Sequence, residues 1–488
     1  MRTASLFVVI SLAAGSWPLT AQQNPRIAQA LEVAKVYLDA TRAYQQIPGL
    51  SVAIVKDQDV IWSGGFGVSD LEKKTPATAS TIYSICSISK LFTSTAVMQL
   101  RDAGKLRLDE PVAKYLPWFT IKRTDPASGE ITVEGLLTHA SGLPRESDWP
   151  YWSAPDFTFP TREQVMERIG RQETLYPAET YFQYSNLGLT LAGEIVSAVS
   201  GEPYAQYAER HILRPLGLAS TTSEMPEAER GRRLAVGYSA MGREGVRRAL
   251  PFFQARGIAP AAGYASTSED LARFAMWQFR ALANRDTTVL RASTLHDMQR
   301  VHFMDPGWQT TRGLGYQVWR SDNKTFVGHG GSCPGYQTML VLRPEEKVAT
   351  IAMTNAIDAP ASMLAQRLYD IVAPAIAAAS KDSAGPAKRP DPTLVAYEGT
   401  YESSFGGESA VVMWDDGLAI ISLPTDNPMR ALAKLRKVGE HTFRRVRDDG
   451  ALGEAVTFTI GPDGRASEMW RNSNRSPRAS AVSSTASR

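Results

Sequence analysis

The sequence predicts an α+β fold, in which a mixed antiparallel sheet holds an inserted helical region and a small C-terminal all-β domain follows. Strand-like apolar runs occur near both ends of the first 378 residues, and mostly helical and loop-like sequence, about 106–302, separates them. We therefore expect strands from both ends to pair in one sheet around the helical region. Short strands separated by turns come after residue 393 and predict the all-β domain.

The chain divides into five segments by composition. Its 488 residues are 43% hydrophobic, which suits a large globular protein with more than one domain. An Ala-, Lys-, Ser- and Pro-rich stretch is typical of a linker, and the Ser- and Arg-rich end has little to bury. The predicted segments are a signal peptide (1–21), a main domain (27–378), a linker (379–393), a small β domain (394–471) and a disordered tail (472–488).

The first residues have the features of a signal peptide. Arg2 is the charged start, residues 4–14 are mostly apolar, and Leu19-Thr20-Ala21 resembles a cleavage site. The apolar run is too short to span a bilayer, and no cysteine follows it to carry a lipid anchor. We expect cleavage after Ala21, a periplasmic or secreted chain and no integral membrane segment, with an uncleaved anchor as the alternative.

Hydrophobic periodicity and turn residues place the individual elements. A periodic helix follows Ser87, and Gly104 supplies its stop. The other elements predicted in the main domain are a helix at 27–44, strands at 50–55, 60–66, 326–329, 335–342 and 348–354, and a helix at 361–372. The strands predicted in the β domain are 399–401, 410–414, 418–423, 442–446 and 455–460, with Asp-Gly turns among them.

The charge and the supply of metal ligands exclude some functions. The formal net charge is only +3 despite 53 basic residues, so we expect no nucleic-acid partner. Cys86 and Cys333 are the only cysteines, and their spacing with the six scattered histidines does not form a zinc site. We therefore expect no metal and no other cofactor.

The first chemical signal is Ser87 with Lys90, three residues apart at the start of a predicted helix. This spacing puts both side chains on one helical face, roughly 5–6 Å apart at Cβ. A serine hydroxyl becomes an effective nucleophile when a neighbour takes its proton, and an unpaired first-turn N–H can stabilise an oxyanion. A second match, Ser321 with Lys324, lies between two strand-like runs and is interpreted as a hairpin turn.

Two further motifs complete the candidate site. Tyr184-x-Asn186 precedes an apolar helix, where the tyrosine could hold or shuttle a proton and the asparagine could bind a substrate amide. His329-x-Gly331 ends a strand, and its two glycines would let an extended acyl chain approach and pair with that strand. The next N–H, that of Ser332, would be the second oxyanion donor.

These three motifs, in this order, resemble those of the serine penicillin-recognising superfamily. The likeness is to class C β-lactamases, D-alanyl-D-alanine carboxypeptidases, D-aminopeptidases and related esterases, and it covers about residues 29–378. Supporting phrases are Leu108-Asp109-Glu110-Pro111, Leu137-Thr138-His139, Ser141-Gly142-Leu143 and Pro215-Leu216-Gly217. The C-terminal domain resembles the lipocalin-like β-domain of some members, with Tyr397-Glu398-Gly399-Thr400-Tyr401 as its opening.

The resemblance implies a fold of the β-lactamase and transpeptidase type and a role for each matched residue. The implied roles are an acylated nucleophile at Ser87, proton transfer shared by Lys90 and Tyr184, substrate orientation by Asn186, an opposite wall at His329 and Gly331, and an oxyanion hole formed by the N–H groups of Ser87 and Ser332. Which of Lys90 and Tyr184 is the general base stays open.

One departure from the family pattern bears on the substrate. β-Lactamases usually carry lysine where this chain has His329, and a lysine is a permanent charge suited to the carboxylate of a β-lactam. A histidine is largely neutral at pH 7. The chain therefore resembles the His-containing peptidases and esterases more than the β-lactamases.

The expected function is that of a secreted serine hydrolase that forms an acyl-enzyme on Ser87. Its substrates would be small amides, D-residue peptides or esters, that is, small-molecule or short-peptide acyl compounds. The alternatives are a β-lactamase and a non-catalytic cell-envelope protein that binds peptides or peptidoglycan. A binding protein needs no activated nucleophile, so the intact Ser87, Lys90 and Tyr184 argue against the last. We expect His139 to pack a loop in the helical region.

The resemblance also suggests a disulfide. Cys86 directly precedes the proposed nucleophile, and Cys333 directly follows Ser332, the proposed second oxyanion donor. The two halves of an oxyanion hole should face each other, and class A carbapenemases, more distant relatives, have a disulfide in this relation to their motifs. We therefore predict a Cys86–Cys333 disulfide.

Overall fold

The computed structural model describes residues 24–380 and 391–479. The predicted signal peptide at 1–21 and most of the predicted linker at 379–393 lie outside the described residues. The predicted α+β class with a small all-β domain is confirmed. None of the helices in the described part of the chain is long and apolar enough to cross a bilayer.

A nine-stranded sheet forms the centre of the main domain, and its strands come from both ends of that domain. Every pairing in it is antiparallel, in the order β3-β2-β1-β11-β10-β9-β8-β7-β6. Its strands are β1 (Gly49–Lys56), β2 (Asp59–Asp70), β3 (Thr75–Pro76), β6 (Phe303–Met304), β7 (Thr311–Arg312), β8 (Gln317–Ser321), β9 (Lys324–Cys333), β10 (Tyr336–Arg343) and β11 (Val348–Thr354). A separate pair is formed by β4 (Tyr83–Ser84) and β5 (Ala265–Ser266).

The described helices cover both faces of this sheet. They are α1 (Pro25–Tyr44), α2 (Ser89–Asp102), α3 (Val112–Tyr115), α4 (Val133–Thr138), α5 (Arg162–Ile169), α6 (Asn186–Ser200), α7 (Tyr204–Ala208), α8 (Ala259–Ala262), α9 (Ser268–Leu282), α10 (Ala292–Gln299) and α11 (Ala361–Ala379) in the main domain, with α12 (Pro428–Ala431) beyond it. The local sequence determines where α1 begins. The Asn24 side chain caps the helix by accepting from the Arg26 N–H at 3.0 Å, and Pro25 suits the first turn.

The central strand β1 separates two hydrophobic cores. Side chains alternate across a strand, so Val52 and Ile54 face the core that contains α1 and α11, and Ala53 and Val55 face the core that contains α2 and α9. All four are fully buried. The helix that follows Ser87 therefore lies on one face of the sheet, and the two terminal helices of the main domain lie on the other.

The C-terminal domain is an eight-stranded antiparallel near-barrel. Its strands are β12 (Gly399–Glu402), β13 (Glu408–Trp414), β14 (Gly417–Leu423), β15 (Leu432–Lys437), β16 (Thr442–Val446), β17 (Leu452–Ile460), β18 (Ala466–Arg471) and β19 (Asn474–Pro477). The first and last strands approach each other where the Ala479 N–H donates to the Thr400 carbonyl at 2.8 Å. Aromatic side chains fill the interior around Phe458, which packs against Tyr397, Tyr401 and Phe443.

This near-barrel packs on the α1 and α11 side of the main domain. The Gln29 side chain on α1 donates to the Asp415 carbonyl at 2.8 Å and accepts from the Asp415 N–H at 3.0 Å. Val412 and Ile421 join the hydrophobic core beneath α1 and α11. The near-barrel thus lies across the sheet from α2.

The expected disordered tail from residue 472 is wrong for 472–479. Asn472 and Ser473 adopt left-handed conformations with φ of 50° and 63°, which makes the tight turn that returns the chain as β19. Arg475 then pairs with Glu468 across the hairpin, so charged and polar residues pair rather than stay disordered. Residues 480–488 lie outside the described range. The strands β15 and β18 were also missed by the sequence prediction.

Candidate active site

A short 3₁₀ turn, Cys86–Ile88, places Ser87 immediately before α2. The turn is fixed at both ends, because the Ile85 N–H donates to the Tyr264 carbonyl at 2.8 Å and the Tyr264 N–H donates to Ser89 Oγ at 3.0 Å. Cys86 adopts φ of 47°, a conformation that a residue with a side chain rarely takes. Ser87 is partly exposed.

Lys90 lies one turn further along and is fully buried. Its Nζ is 3.0 Å from Ser87 Oγ, 2.8 Å from Asn186 Oδ1 and 2.7 Å from the Ala261 carbonyl. The last two groups only accept hydrogen bonds, so they hold two N–H bonds of the amine. In the neutral amine, the lone pair is then left to point toward the Ser87 hydroxyl.

Glu146 fixes which atom of the Asn186 side chain faces Lys90. Asn186 Nδ2 donates to Glu146 Oε1 at 2.8 Å, so Oδ1 is turned toward the lysine. The other carboxylate oxygen of Glu146 accepts from the Tyr151 hydroxyl. Asn186 itself starts α6, which Ser185 caps by accepting from the Gly188 N–H at 2.9 Å.

Burial lowers the pKa of Lys90 from its ordinary value, because the charged ammonium loses water. Tyr184, whose ring centroid is 4.9 Å from Lys90 Nζ, opposes this effect. A lower pKa increases the fraction of neutral amine at any given pH. The environment thus favours the form of Lys90 that can accept a proton.

His139 positions Tyr184. The two rings stack with centroids 4.3 Å apart, and the Ser185 N–H donates to His139 Nδ1 at 3.1 Å. His139 ends α4 in a left-handed conformation with φ of 61°. Burial holds the pKa of His139 well below its usual range, so this imidazole is neutral. The expectation that His139 packs a loop is confirmed, and the loop it packs carries Tyr184.

His329 lies on β9 at the opposite wall, with its ring centroid 6.4 Å from that of Tyr184. Its side chain is buried, and Nδ1 is 2.6 Å from the Gly330 carbonyl, which fixes Nδ1 as the donor. Its Nε2 is buried and has no partner among the described residues. Burial, with Lys90 next in size, lowers the pKa of His329 well below its ordinary value, so it carries no charge at pH 7.

Gly331 is the point at which β9 meets the turn that carries Ser87. A Cβ atom at this position would lie 2.2 Å from the Ile85 carbonyl oxygen and 2.3 Å from Thr338 Oγ1. Only glycine allows this approach. The following residue, Ser332, is exposed, and its Oγ accepts from Gln337 Nε2 at 2.9 Å. The oxyanion role of the Ser87 and Ser332 N–H groups stays a prediction.

The predicted Cys86–Cys333 disulfide is present, with Cα atoms 5.8 Å apart. It joins the residue before Ser87 to the residue after Ser332, across a sequence separation of 247. Both cysteines are buried. The bridge therefore ties the turn before α2 to the end of β9.

The second Ser-x-x-Lys match is a hairpin turn, as predicted. Asp322 and Asn323 have φ of 47° and 61°, and they connect β8 to β9 at the Ser321–Lys324 pair. Lys324 Nζ is 2.9 Å from Glu346 Oε1, so its charge is used in an ion pair on the surface. This match takes no part in the site around Ser87.

Two contributors to the site, Glu146 and the Ala261 carbonyl, were not predicted from the sequence. Glu146 and Ala261 act through contacts with residues 40 or more positions away. A backbone carbonyl carries no side-chain signal at all. The four motif residues Ser87, Lys90, Tyr184 and Asn186 are brought together, with His329 and Gly331 facing them. In residues 24–380 and 391–479, no cluster of three or more His, Cys, Asp or Glu side chains could hold a metal ion.

A family model described as Beta-lactamase matches residues 36–373, so the chain belongs to the β-lactamase family. The resemblance inferred from the three motifs is thereby confirmed. Members of this family are typically serine hydrolases. Protein flp of Staphylococcus aureus (strain MW2) is 27% identical over 315 residues, which are 63% of this chain and 60% of that relative. The chain thus spans about 60% of that relative's length.

Two solved structures have similar folds, and this chain matches nearly the whole length of each of them. An octameric penicillin-binding protein homologue from Pyrococcus abyssi has a TM-score of 0.62 and 26% identity, covering 91% of this chain and 99% of that one. A D-amino acid amidase from Ochrobactrum anthropi SV3 has a TM-score of 0.60 and 25% identity, covering 72% of this chain and 99% of that one. These matches agree with a serine-hydrolase fold of the β-lactamase family.

The packing around Gly331 predicts that Gly331→Ala damages the site. The new methyl group would push β9 away from the turn before Ser87, and overpacking of this kind costs typically about 1–3 kcal/mol. We expect kcat/KM for a p-nitrophenyl ester to fall by roughly tenfold or more, because a displacement of about 1 Å in the positions of catalytic groups can cost a factor of up to about a hundred. The control is Gly330→Ala. The atom nearest to its new Cβ would be Sδ of the flexible Met339 side chain, 3.3 Å away. Equal activity of the two variants would contradict this account.

The disulfide closes a long loop, so its removal should increase the conformational entropy of the unfolded chain and thereby lower the free energy of unfolding. In the chain-entropy model, a loop of this length contributes up to about 5 kcal/mol. We expect Cys86→Ala with Cys333→Ala to lower the midpoint of urea unfolding followed by tryptophan fluorescence. Ser84→Ala is the control, because it removes a hydroxyl 3.3 Å from Cys333 Sγ and leaves the bridge intact. An unchanged midpoint in the double variant would show that the bridge adds no stability.

Proposed function

We propose that this protein is a serine hydrolase that forms an acyl-enzyme on Ser87 and acts on small amides, D-residue peptides or esters. The observation that carries this proposal is the 3.0 Å contact between Ser87 Oγ and the fully buried Lys90 Nζ. A lysine in this setting can take the serine proton, and that is the requirement for a serine nucleophile. A non-catalytic binding protein does not require an activated serine nucleophile.

The proposed first step is attack of Ser87 Oγ on the carbonyl carbon of the substrate. As the new C–O bond forms, the serine proton moves to the neutral amine of Lys90, whose two N–H bonds are held by Asn186 and Ala261. The carbonyl oxygen becomes an oxyanion, and the proposed donors to it are the N–H groups of Ser87 and Ser332.

The tetrahedral intermediate then breaks its bond to the leaving group, which needs a proton. Tyr184 lies beside Lys90, so its hydroxyl can give a proton to the leaving amine or alcohol and take one back from the Lys90 ammonium, which returns to the neutral amine. Attack of water on the acyl-enzyme repeats the two steps and frees Ser87. His139 acts through Tyr184, because it stacks on that ring and accepts from the Ser185 N–H of the same segment.

The substrate class is supported by the site and by the similar structures. His329 is neutral and buried, so it does not supply the fixed charge that a lysine would give to a β-lactam carboxylate. One of the solved structures with a similar fold is a D-amino acid amidase. Amide and ester substrates are therefore proposed ahead of β-lactams.

We also propose that the protein acts in the periplasm or outside the cell. The signal-like segment at 1–21 supports this proposal. The Cys86–Cys333 disulfide is a second support, because structural disulfides persist mainly in oxidising compartments.

The direct test is labelling with a fluorophosphonate probe, with a penicillin probe alongside. We expect Ser87→Ala to lose labelling and to lose ester hydrolysis by roughly 10⁴-fold or more, as loss of a serine nucleophile does. The matched control is Ser321→Ala, which removes the serine of the other Ser-x-x-Lys match and should label like the wild type. Equal labelling of wild type and Ser87→Ala would remove Ser87 from this role.

A panel of p-nitrophenyl esters, D-alanine amides and β-lactams then separates the candidate functions. Turnover of esters or D-residue amides supports the proposal, and preferential turnover of β-lactams would assign a β-lactamase instead. Tight binding to cell-wall peptides without turnover of any member would assign the non-catalytic binding protein.

The lowered pKa of Lys90 predicts a pH dependence of kcat/KM for a neutral ester. Deprotonation of Lys90 produces the base, so activity should rise with pH and level off above a midpoint lower than 10.5, the ordinary value for lysine. Tyr184 raises the pKa of Lys90, so Tyr184→Phe should shift this midpoint downward.

The same pH profile decides between the two candidate bases. A rising limb that persists in Tyr184→Phe assigns the proton acceptor to Lys90. Loss of the limb in that variant, with the fold intact by circular dichroism, would assign it to Tyr184. His139→Gln is the companion variant, because it disturbs the position of Tyr184 without removing its hydroxyl.

A further inference from the structure

The short helix α8 lies against Lys90 and supplies the backbone carbonyl that holds its amine. The Ala261 carbonyl accepts from Lys90 Nζ at 2.7 Å. The neighbouring Pro260 carbonyl accepts from the Thr93 hydroxyl at 2.6 Å, nearly one turn of α2 beyond Lys90. A helix of four residues has little stability of its own, so the position of α8 depends on contacts with the rest of the chain.

Glu224 provides such a contact at the start of the turn that leads into α8. The turn is Arg256–Ile258, and the first N–H groups of a helical turn have no partner within it. The Ala255 N–H donates to Glu224 Oε2 at 2.9 Å, and the Arg256 N–H donates to Glu224 Oε1. Hydrogen bonds to an ionised acceptor are stronger than those between neutral groups. One carboxylate thus holds two consecutive residues of the backbone.

The backbone conformation that Glu224 holds is an unusual one. Arg256 has φ of 46°, in the left-handed region that residues other than glycine rarely adopt. Such a conformation costs free energy and persists where the surrounding contacts determine it. On the other side of the turn, a Cβ atom on Gly257 would lie only 2.7 Å from the Thr161 carbonyl carbon. Contacts from two directions therefore fix this turn.

The segment that carries Glu224, residues 222–224, is also bonded to the chain beyond α8. Thr222 and Ala265 exchange two backbone hydrogen bonds of 3.0 Å. The segment passes close to the end of α8, since a Cβ atom on Gly263 would lie 2.6 Å from the Ser223 carbonyl oxygen. Residues 222–224 therefore run beside α8 and are bonded to the backbone before and after it.

Burial makes the charged form of Glu224 costly. It raises the pKa of this carboxyl to about 7, and the Ala255 and Arg256 N–H groups and the Arg256 charge oppose that effect. Between 4.5, the ordinary value, and about 7, the folded protein holds a proton that the unfolded chain has released. The contribution of Glu224 to stability therefore falls as the pH rises through this window. Ionisable groups with such shifted pKa values cluster at functional sites.

We propose that Glu224 is a positioning residue for the proposed acyl transfer, because it holds the turn before α8 and thereby places the Ala261 carbonyl that orients the amine of Lys90. This inference rests on the proposed hydrolysis at Ser87, and it adds a residue that does not touch the substrate. The Ala261 carbonyl and Asn186 Oδ1 together determine where the lone pair of the neutral amine points. A displaced α8 would misdirect this base and leave the facing strand β9 in place.

The test replaces the carboxylate with an amide of nearly the same shape. Glu224→Gln has one acceptor oxygen, so one of the two backbone N–H groups is left facing an NH₂ group. The assay is run at about pH 8.5, where a carboxyl with a pKa of about 7 is ionised in the wild type.

We expect Glu224→Gln to slow acylation and to leave substrate binding nearly unchanged. The kcat for a p-nitrophenyl ester and the rate of fluorophosphonate labelling at Ser87 should fall by roughly tenfold or more, because a displacement of about 1 Å can cost up to about a hundredfold. KM should stay within about threefold of wild type, since the lost interaction acts on the base and not on the bound substrate.

Two matched controls separate this role from other effects. Glu194→Gln removes another partly buried glutamate whose pKa is raised by burial, but Glu194 pairs with Arg162 at 2.7 Å. Arg256→Gln removes the charge beside Glu224 and keeps the backbone N–H that Glu224 binds. Both controls should keep kcat within about threefold of wild type, as substitutions outside such contacts usually do.

A second variant decides the case in which Glu224→Gln does not fold by circular dichroism. Glu224→Asp keeps the charge and draws the carboxylate back by one methylene group, so it should reach the two N–H groups less well. A reduced kcat with an unchanged KM in Glu224→Asp supports the positioning role. A wild-type kcat in this variant overturns it.

Each other outcome overturns a defined claim. Wild-type kcat in a folded Glu224→Gln would overturn the role of Glu224 and leave the proposed hydrolase function standing. Equal losses in Glu224→Gln and Glu194→Gln would show that Glu224 only stabilises the fold. An equally large loss in Arg256→Gln would assign the effect to the ion pair instead of the backbone N–H groups. Absence of both labelling and turnover in the wild type would overturn the proposed function itself.

Discussion

The site depends on one buried amine, Lys90 Nζ, and on the two acceptors that hold it. A fully buried lysine is costly unless each of its N–H bonds has a partner, and here Asn186 Oδ1 and the Ala261 carbonyl provide two of them. These partners come from α6 and α8, so the position of the amine depends on the helical region. Only the third direction is left for Ser87, and this geometry pairs the lysine with the serine hydroxyl.

Contacts elsewhere in the main domain hold the turn that carries Ser87 against the facing strand β9. The antiparallel sheet brings β9 against the turn before α2, at an approach that only Gly331 allows, and the Cys86–Cys333 bridge joins the same two segments. The near-barrel packs on α1, on the other side of the sheet from α2. Its contacts complete the core beneath α1 and α11, and they lie away from the wall formed by Tyr184 and His329.

Much of this arrangement could be predicted from the sequence, because it follows from local hydrophobic patterns and from the order of the motifs. Apolar runs predicted β1 and β9 to β11, and the three ordered motifs predicted which side chains meet. Glu146 and the Ala261 carbonyl could not be predicted, since they act through long-range contacts that leave no local pattern. The strand β19 was missed because its stability comes from pairing with β18 and from Arg475, and a polar composition does not reveal such pairing.

The most direct measurement of the central claim is the titration of Lys90 itself. NMR of protein labelled with ¹³C at lysine Cε, assigned with Lys90→Met, follows the ammonium through its change to the neutral amine. The account predicts a Lys90 midpoint below 10.5, the ordinary lysine value, because burial disfavours the charged form. A midpoint at or above 10.5 in the folded protein would contradict the assignment of Lys90 as the group that accepts the serine proton.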